Sequence, residues 1–192
     1  MKEKKEKKKW GLIVFIVVIM IGTTFSFVFY GFAPASQTIK YNGISFENSN
    51  KIWIAKIKGI NAAFSYLPDD VKNIPVSADV AALLQQKYEI DATYEVNSTF
   101  KQSIALAQHQ MELTLNAYNI YLRRGFTANN SFNLPIITCQ NSTQTVPVVY
   151  FTYSNATGIH LDGACVVAEA SRNEDFIRVK DRLVYDILGV MS

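Results

Sequence analysis

The chain has few of the residues that usually do chemistry. Among its 192 residues there are two histidines, His109 and His160, and two cysteines, Cys139 and Cys165. It has no glycine-rich phosphate loop, no G-x-S-x-G elbow and no H-E-x-x-H pair. His109 lies between Gln108 and Gln110 on the polar side of a helical pattern, which predicts a solvated residue. His160 sits in a loop before Asp162, and two histidines alone do not fill a zinc site. Asp69-Asp70 falls just inside a helix start, where adjacent acids answer the helix dipole rather than form an acid–base pair. The cysteines are not a CxxC pair. No catalytic, cofactor-binding or metal-binding residue is therefore nominated.

Charge is absent from a second place, and here the absence is informative. Residues 10–32 contain no charged side chain, and an apolar run of that length spans a hydrocarbon core of ~30 Å. Residues 1–9 carry six lysines against two glutamates, a balance of +4 that predicts a cytoplasmic tail. Trp10 and Tyr30 suit the two membrane interfaces. Ala33-Pro34-Ala35 offers a cleavage triplet, and some filament subunits are cut just before such a stretch, here after Gly11. The uncharged run is longer than a signal-peptide core, and it lacks the polar, acidic start of filament subunits, so an uncleaved anchor is preferred. The expected organisation is a basic cytoplasmic tail (1–9), a transmembrane helix (10–32), a linker (33–38) and an extracytoplasmic domain (39–192). Without the tail, the formal charge of +3 becomes −1. The sequence pI of 8.8 thus belongs to the anchor, and nucleic-acid binding by the domain is not expected.

Cys139 and Cys165 both follow the span, on the side where disulfides persist, and a bridge between them is expected. The loop it closes predicts roughly 3.5 kcal/mol of stabilisation on the chain-entropy model. Strand-like runs surround both cysteines, at residues 135–139, 146–153 and 164–170. A simple meander of these would hold the first and third ~9.6 Å apart, too far for a bridge. Direct adjacency of the two cysteine strands is favoured, with a bridge at the strand ends as the alternative. Four N-x-[ST] sequons lie on the same side, making Asn97, Asn129, Asn141 and Asn155 candidate glycosylation sites.

The rest of the domain reads as α+β, a mixed sheet packed by about three helices behind a β-rich N-terminal layer. Asn42-Gly43 predicts a two-residue hairpin turn. Residues 51–57 and 60–66 read as strands, with Tyr41, Phe46, Trp53, Phe64 and Tyr66 as core. Ser77 caps a helix, and residues 89–96 alternate as a strand. Thr99 with Gln102 opens the longest helix, on which Phe100, Ile104, Ala107, Met111, Leu115, Tyr118 and Leu122 form a stripe. Arg123-Arg124 and Gly125 are assigned to its end. Ser171 with Glu174 opens a final helix that stops at Gly189.

Tyr41-Asn42-Gly43-Ile44-Ser45-Phe46, Trp53, Phe64-Ser65-Tyr66-Leu67-Pro68, Pro135-Ile136-Ile137-Thr138-Cys139, Gly163-Ala164-Cys165-Val166-Val167 and Asp181-Arg182-Leu183-Val184-Tyr185 resemble small single-span archaeal proteins of unknown function. That resemblance implies an architecture and brings no activity or site residue. Val146-Pro147 before an apolar strand, a further strand and a terminal helix is similar to the end of a thioredoxin-like fold, without its CxxC.

The functional expectation is a non-enzymatic interaction module at the cell membrane, or an accessory subunit of an envelope complex. Its partners would be the lipid bilayer, through residues 10–32, and a protein at the membrane surface. A small-ligand-binding surface domain is the alternative. A thiol or hydrolytic enzyme comes third, because no nucleophile–base arrangement is visible.

Overall fold

A computed structural model describes residues 14–20 and 37–191. The chain divides into two units, Met1–Ser36 and Gln37–Ser192. In the first, residues 14–20 are helical and exposed. The predicted tail, the remainder of the predicted 10–32 span and the start of the linker lie outside the described residues. Among the described residues no helix is long and apolar enough to cross a membrane.

The second unit is α+β, with an antiparallel sheet at the expected β-rich N-terminal layer and a mixed sheet after it. Strands β1 (Thr38–Tyr41), β2 (Ile44–Ser49), β3 (Ile52–Ile57) and β4 (Ile60–Phe64) form an antiparallel meander. Its three turns have positive φ at both central residues: Asn42-Gly43 as predicted, Asn50-Lys51 and Lys58-Gly59. That geometry matches the right-handed twist of flanking strands. Trp53, Ala55 and Ile57 share one face and pair with Phe64, Ala62 and Ile60. Ile52 and Ile54 point the opposite way and remain exposed.

Two short helices follow, α1 (Pro68–Val71) and α2 (Ala78–Leu84), then β5 (Glu89–Thr93), α3 (Lys101–Ala117) and β6 (Tyr121–Arg124). The chain ends in β7 (Val148–Tyr153), β8 (Gly158–Asp162), β9 (Cys165–Ala170) and α4 (Asp175–Leu188). The second sheet has the order β6-β5-β7-β9-β8, parallel except for β8. Along β7, Val149 and Phe151 face the main core, whereas Val148 and Tyr150 join Ile137, Cys139 and Cys165 in a smaller cluster. One face of this sheet thus belongs to the main core with the helices, and the other is covered by the irregular segment after β6.

Several expectations change. The long helix does stop short of Leu122: Asn119 turns left-handed (φ 59°) and residues 121–124 become an edge strand. Gly125 is therefore no helix cap. It lies under the crossing chain, where an added Cβ would stand 2.6 Å from the Pro135 carbonyl oxygen. The Thr99–Gln102 cap is absent; Ser98 Oγ instead accepts the Phe100 N–H at 3.2 Å. Residues 135–139 are not a strand, contributing one bridge between Phe126 and Ile136 and a 3₁₀ turn over Cys139–Asn141. His160, expected in a loop, lies on strand β8. Four helices, two of them short, serve the unit where about three were expected. The final helix ends as predicted, with Gly189 left-handed (φ 75°) and the Val190 N–H returning to the Tyr185 carbonyl at 2.8 Å.

Candidate functional site

The predicted disulfide is present. Cys139 and Cys165 are bonded at 2.06 Å with Cα atoms 5.1 Å apart. The favoured strand adjacency does not hold, because Cys139 is on the 3₁₀ turn and Cys165 begins β9; the bridge sits where a strand starts and a chain bends. Ser142 reinforces this junction, donating to the Ala164 carbonyl at 2.6 Å and accepting the Val148 N–H at 2.9 Å. The bridge pins the covering segment to the sheet, a structural role.

Helix α3 packs against α4 and against the β4 edge of the meander. The stripe Ile104, Ala107, Met111 and Leu115 is fully buried as predicted. Gln108, expected on the solvated side, is buried too, and its Nε2 has no hydrogen-bond partner. The next turn of α3 runs along the β4 edge. Tyr118 OH donates to the carbonyls of Ile57 (3.2 Å) and Ile60 (3.1 Å), and Thr114 Oγ1 approaches the Ala63 carbonyl at 3.4 Å. Polar side chains of α3 thus cover backbone groups that a bare edge strand would expose.

Beside this seam is a cleft of about 320 Å³. Ile52, Ala63, Phe64 and Ser65 form its meander wall, and Leu106, His109, Gln110, Leu113 and Thr114 form its α3 wall. Its rim is apolar and open: Ile52 is 45% exposed, Leu106 50% and Leu113 60%. Its floor is Lys180 from α4, which is 1% exposed and bonds to Asp181. Asp181, wholly buried, also accepts the N–H groups of Ser65 (3.0 Å) and Tyr66 (2.9 Å) through Oδ2. Burial pushes its carboxyl above the ordinary range, against the pull of Lys180 and these two amides. The Tyr185 hydroxyl closes the same corner by donating to the Tyr66 carbonyl at 2.7 Å, while its ring stacks on Phe64 at 4.2 Å. Helix α4 is thus locked to the exit of β4 by one carboxylate, one hydroxyl and one aromatic stack. The polar lining of the cleft is incompletely used. Gln110 Oε1 is buried without a partner, and the Lys180 ammonium, with three donors, makes one hydrogen bond.

Two other hollows are shallower or more polar. One, of about 330 Å³, lies between Glu95, Asn97, Ser98 and Thr99 after β5 and Phe151–Tyr153 at the end of β7. Between β5 and β7 the strand order changes direction, the position where open α/β sheets commonly bind ligands. The second, near β8, brings His160 Nδ1 within 3.7 Å of Glu169 Oε2. His109 is exposed and stands 3.9 Å from Glu112. Among the described residues no group of three His, Cys, Asp or Glu side chains is placed to hold a metal ion.

All four sequon asparagines are exposed, and none lines the cleft. Sequence patterns missed the buried charges of α4 and β5. Asp91, 1% exposed, is gripped at both oxygens by Arg123 at 2.7 Å. Asp175 takes hydrogen bonds from Thr157, Ser171, Arg172 and Arg178. Burial alone would raise its carboxyl, yet these donors together hold it below the usual range. Asp186 has no such help. Its carboxylate lies 3.2 Å from Arg182, neither oxygen makes a hydrogen bond, and burial pushes it up to about 6. A helix whose charged positions look like a solvated face gives no sign that it will be enclosed on all sides. No protein-family model, curated protein or solved structure matches this chain.

Proposed function

We propose that the chain is a membrane-anchored, extracytoplasmic recognition module that docks a protein partner through the α3–meander cleft. One observation carries this: Ile52, Leu106 and Leu113 stand exposed around a recess whose floor is rigidly tied. An anchor pocket ringed by apolar surface is the usual form of an interface centre. The occupant we assign is an aliphatic side chain of the partner. About 320 Å³ is at the lower end of small-molecule sites, and the exposed rim residues Ile52, Leu106 and Leu113 are apolar. The anchor is the uncharged run of residues 10–32, with the lysine-rich tail on the cytoplasmic side, an architecture resembling the single-span archaeal proteins named above.

The test is site-specific photocrosslinking in native membranes, with the crosslinker replacing Leu113 or, as a control, the exposed Asp162. A discrete protein adduct at Leu113, absent at Asp162 and lost when Ile52→Asp is added, is expected. No adduct at Leu113, or equal adducts at both positions, would end the proposal. A second reading, a small-ligand site in the same cleft, is favoured by the unpartnered Gln110 Oε1 and the open donors of Lys180. Crosslinks to a small molecule or lipid in place of a protein would select it.

A further inference from the structure

The four sequons are not equivalent once the domain has folded. Asn97 follows β5, Asn129 follows β6 and Asn155 follows β7, so three of them stand beyond the carboxyl ends of parallel strands. Asn141 is on the 3₁₀ turn, at the opposite ends of β7 and β9. Enzymes that modify this tripeptide read the asparagine amide together with the hydroxyl two residues on. At Asn155 that hydroxyl is taken: Thr157 Oγ1 bonds to Asp175 at 3.1 Å and accepts the Ser171 N–H at 3.1 Å. At Asn141 both ends are taken. Its Oδ1 accepts from Thr138 N at 2.8 Å, and Thr143 Oγ1 accepts the Val146 N–H at 2.9 Å. At Asn97 and Asn129 both the asparagine and the hydroxyl residue, Thr99 or Ser131, are exposed, and none of these four side chains makes a hydrogen bond among the described residues.

We propose that Asn97 and Asn129 carry N-linked glycans added to the folded domain, on the carboxyl rim of the parallel sheet. The inference rests on the extracytoplasmic placement proposed above. The donor is a lipid-phosphate-linked oligosaccharide. Nδ2 attacks the sugar's C1, the C1–O bond to phosphate breaks, the lipid phosphate leaves with the electron pair and the amide proton goes to a base. Asn97 lies in the hollow at the strand-order reversal. Its glycan fills the position where a sheet of this kind commonly takes a small ligand, and it leaves the α3–meander cleft bare for a partner.

The experiment is mass analysis of peptides from full-length protein purified from its native membranes, beside protease treatment of intact cells. Sugar-sized mass increments on the peptides bearing Asn97 and Asn129, each removed by Asn97→Gln or Asn129→Gln, are expected. Unmodified peptides from a domain that external protease digests would overturn the glycan inference alone. Unmodified peptides from a protected domain would overturn the placement and the inference with it. Increments at Asn141 or Asn155 would overturn the claim that modification acts on the folded surface.

Discussion

Removing one member of the Lys180–Asp181 pair strands the other where neither is more than 1% exposed. The cost of a stranded ionisable group has a ceiling, the free energy of neutralising it. That ceiling is about 1.36 kcal/mol for each unit between the solution pH and the group's ordinary pKa. Lys180→Met leaves Asp181, for which the ceiling is about 4 kcal/mol at pH 7 and about 1.5 kcal/mol at pH 5. The Ser65 and Tyr66 amides still stabilise the carboxylate, so the measured loss should fall below those figures. Asp181→Ala leaves Lys180, for which the ceiling is about 4.6 kcal/mol at pH 7 and about 7 kcal/mol at pH 5. It also deprives two backbone N–H groups of their acceptor, adding about 1 kcal/mol or more. The two variants should therefore diverge on acidification. Relative to the parent, Lys180→Met regains stability from pH 7 to pH 5, and Asp181→Ala loses more. Urea unfolding followed by fluorescence of the half-buried Trp53 measures both. Lys180→Met combined with Asp181→Leu should return close to the parent, because replacing a whole buried pair by apolar residues is often near neutral. Parallel pH trends in the two single variants would refute the placement of this pair in the core.

Gly125→Ala should destabilise by roughly 1–3 kcal/mol in chemical unfolding, as overpacking does, because the new methyl meets the Pro135 carbonyl; an unchanged midpoint would mean the crossing segment is not held there. Asp186 titrates near 6 when folded and near 3.9 unfolded, so its stabilising proton is fully present below pH 4 and lost as pH rises through 6. A fall of about 3 kcal/mol over that window should be absent from Asp186→Asn. Serine at both Cys139 and Cys165 should cost roughly 3.5 kcal/mol by the loop-entropy model, read as a lower urea midpoint; thiol labelling of the unfolded, unreduced parent should find no free thiol.

What the sequence made legible was local and self-sufficient. Asn42-Gly43 specifies its turn because both residues tolerate positive φ, whatever packs around them. The α3 stripe declares its buried face because four apolar residues recur at the helical period. Gly189 marks the end of α4 by the same backbone freedom as Gly43. The disulfide followed from having two thiols and no others. The cleft was not legible, since its walls come from β3, β4, α3 and α4, which meet only in the folded chain. Trp53 and Phe64, expected as core, pair with each other, and that commits their face inward and leaves Ile52 and Ile54 at the surface.

The misread segments share one cause: each carried a true local signal that tertiary structure put to another use. Leu122-Arg123-Arg124-Gly125 has the basic turn and glycine of a helix end. In the fold, Arg123 is the fork that neutralises Asp91 on the neighbouring strand, and Gly125 is small because another backbone crosses it. Asp175, Lys180, Asp181, Arg182 and Asp186 give α4 the pattern of a wetted surface. In the fold the helix is buried among α1, α2, α3 and β9, and two of these charges fasten it to a neighbour, Asp181 to the exit of β4 and Asp175 to the β7–β8 turn, while Arg178 donates to the Asp70 carbonyl of α1 at 2.9 Å. Directional bonds of this kind fix how α4 seats against elements that hydrophobic contact alone would let slide. The meander wall of the cleft is held to the α4 floor by Asp181 and Tyr185, and to α3 by Tyr118. A surface meant to present Ile52 and Leu113 at a constant spacing needs such ties, and their concentration at this seam is the structural reason to look for a partner there.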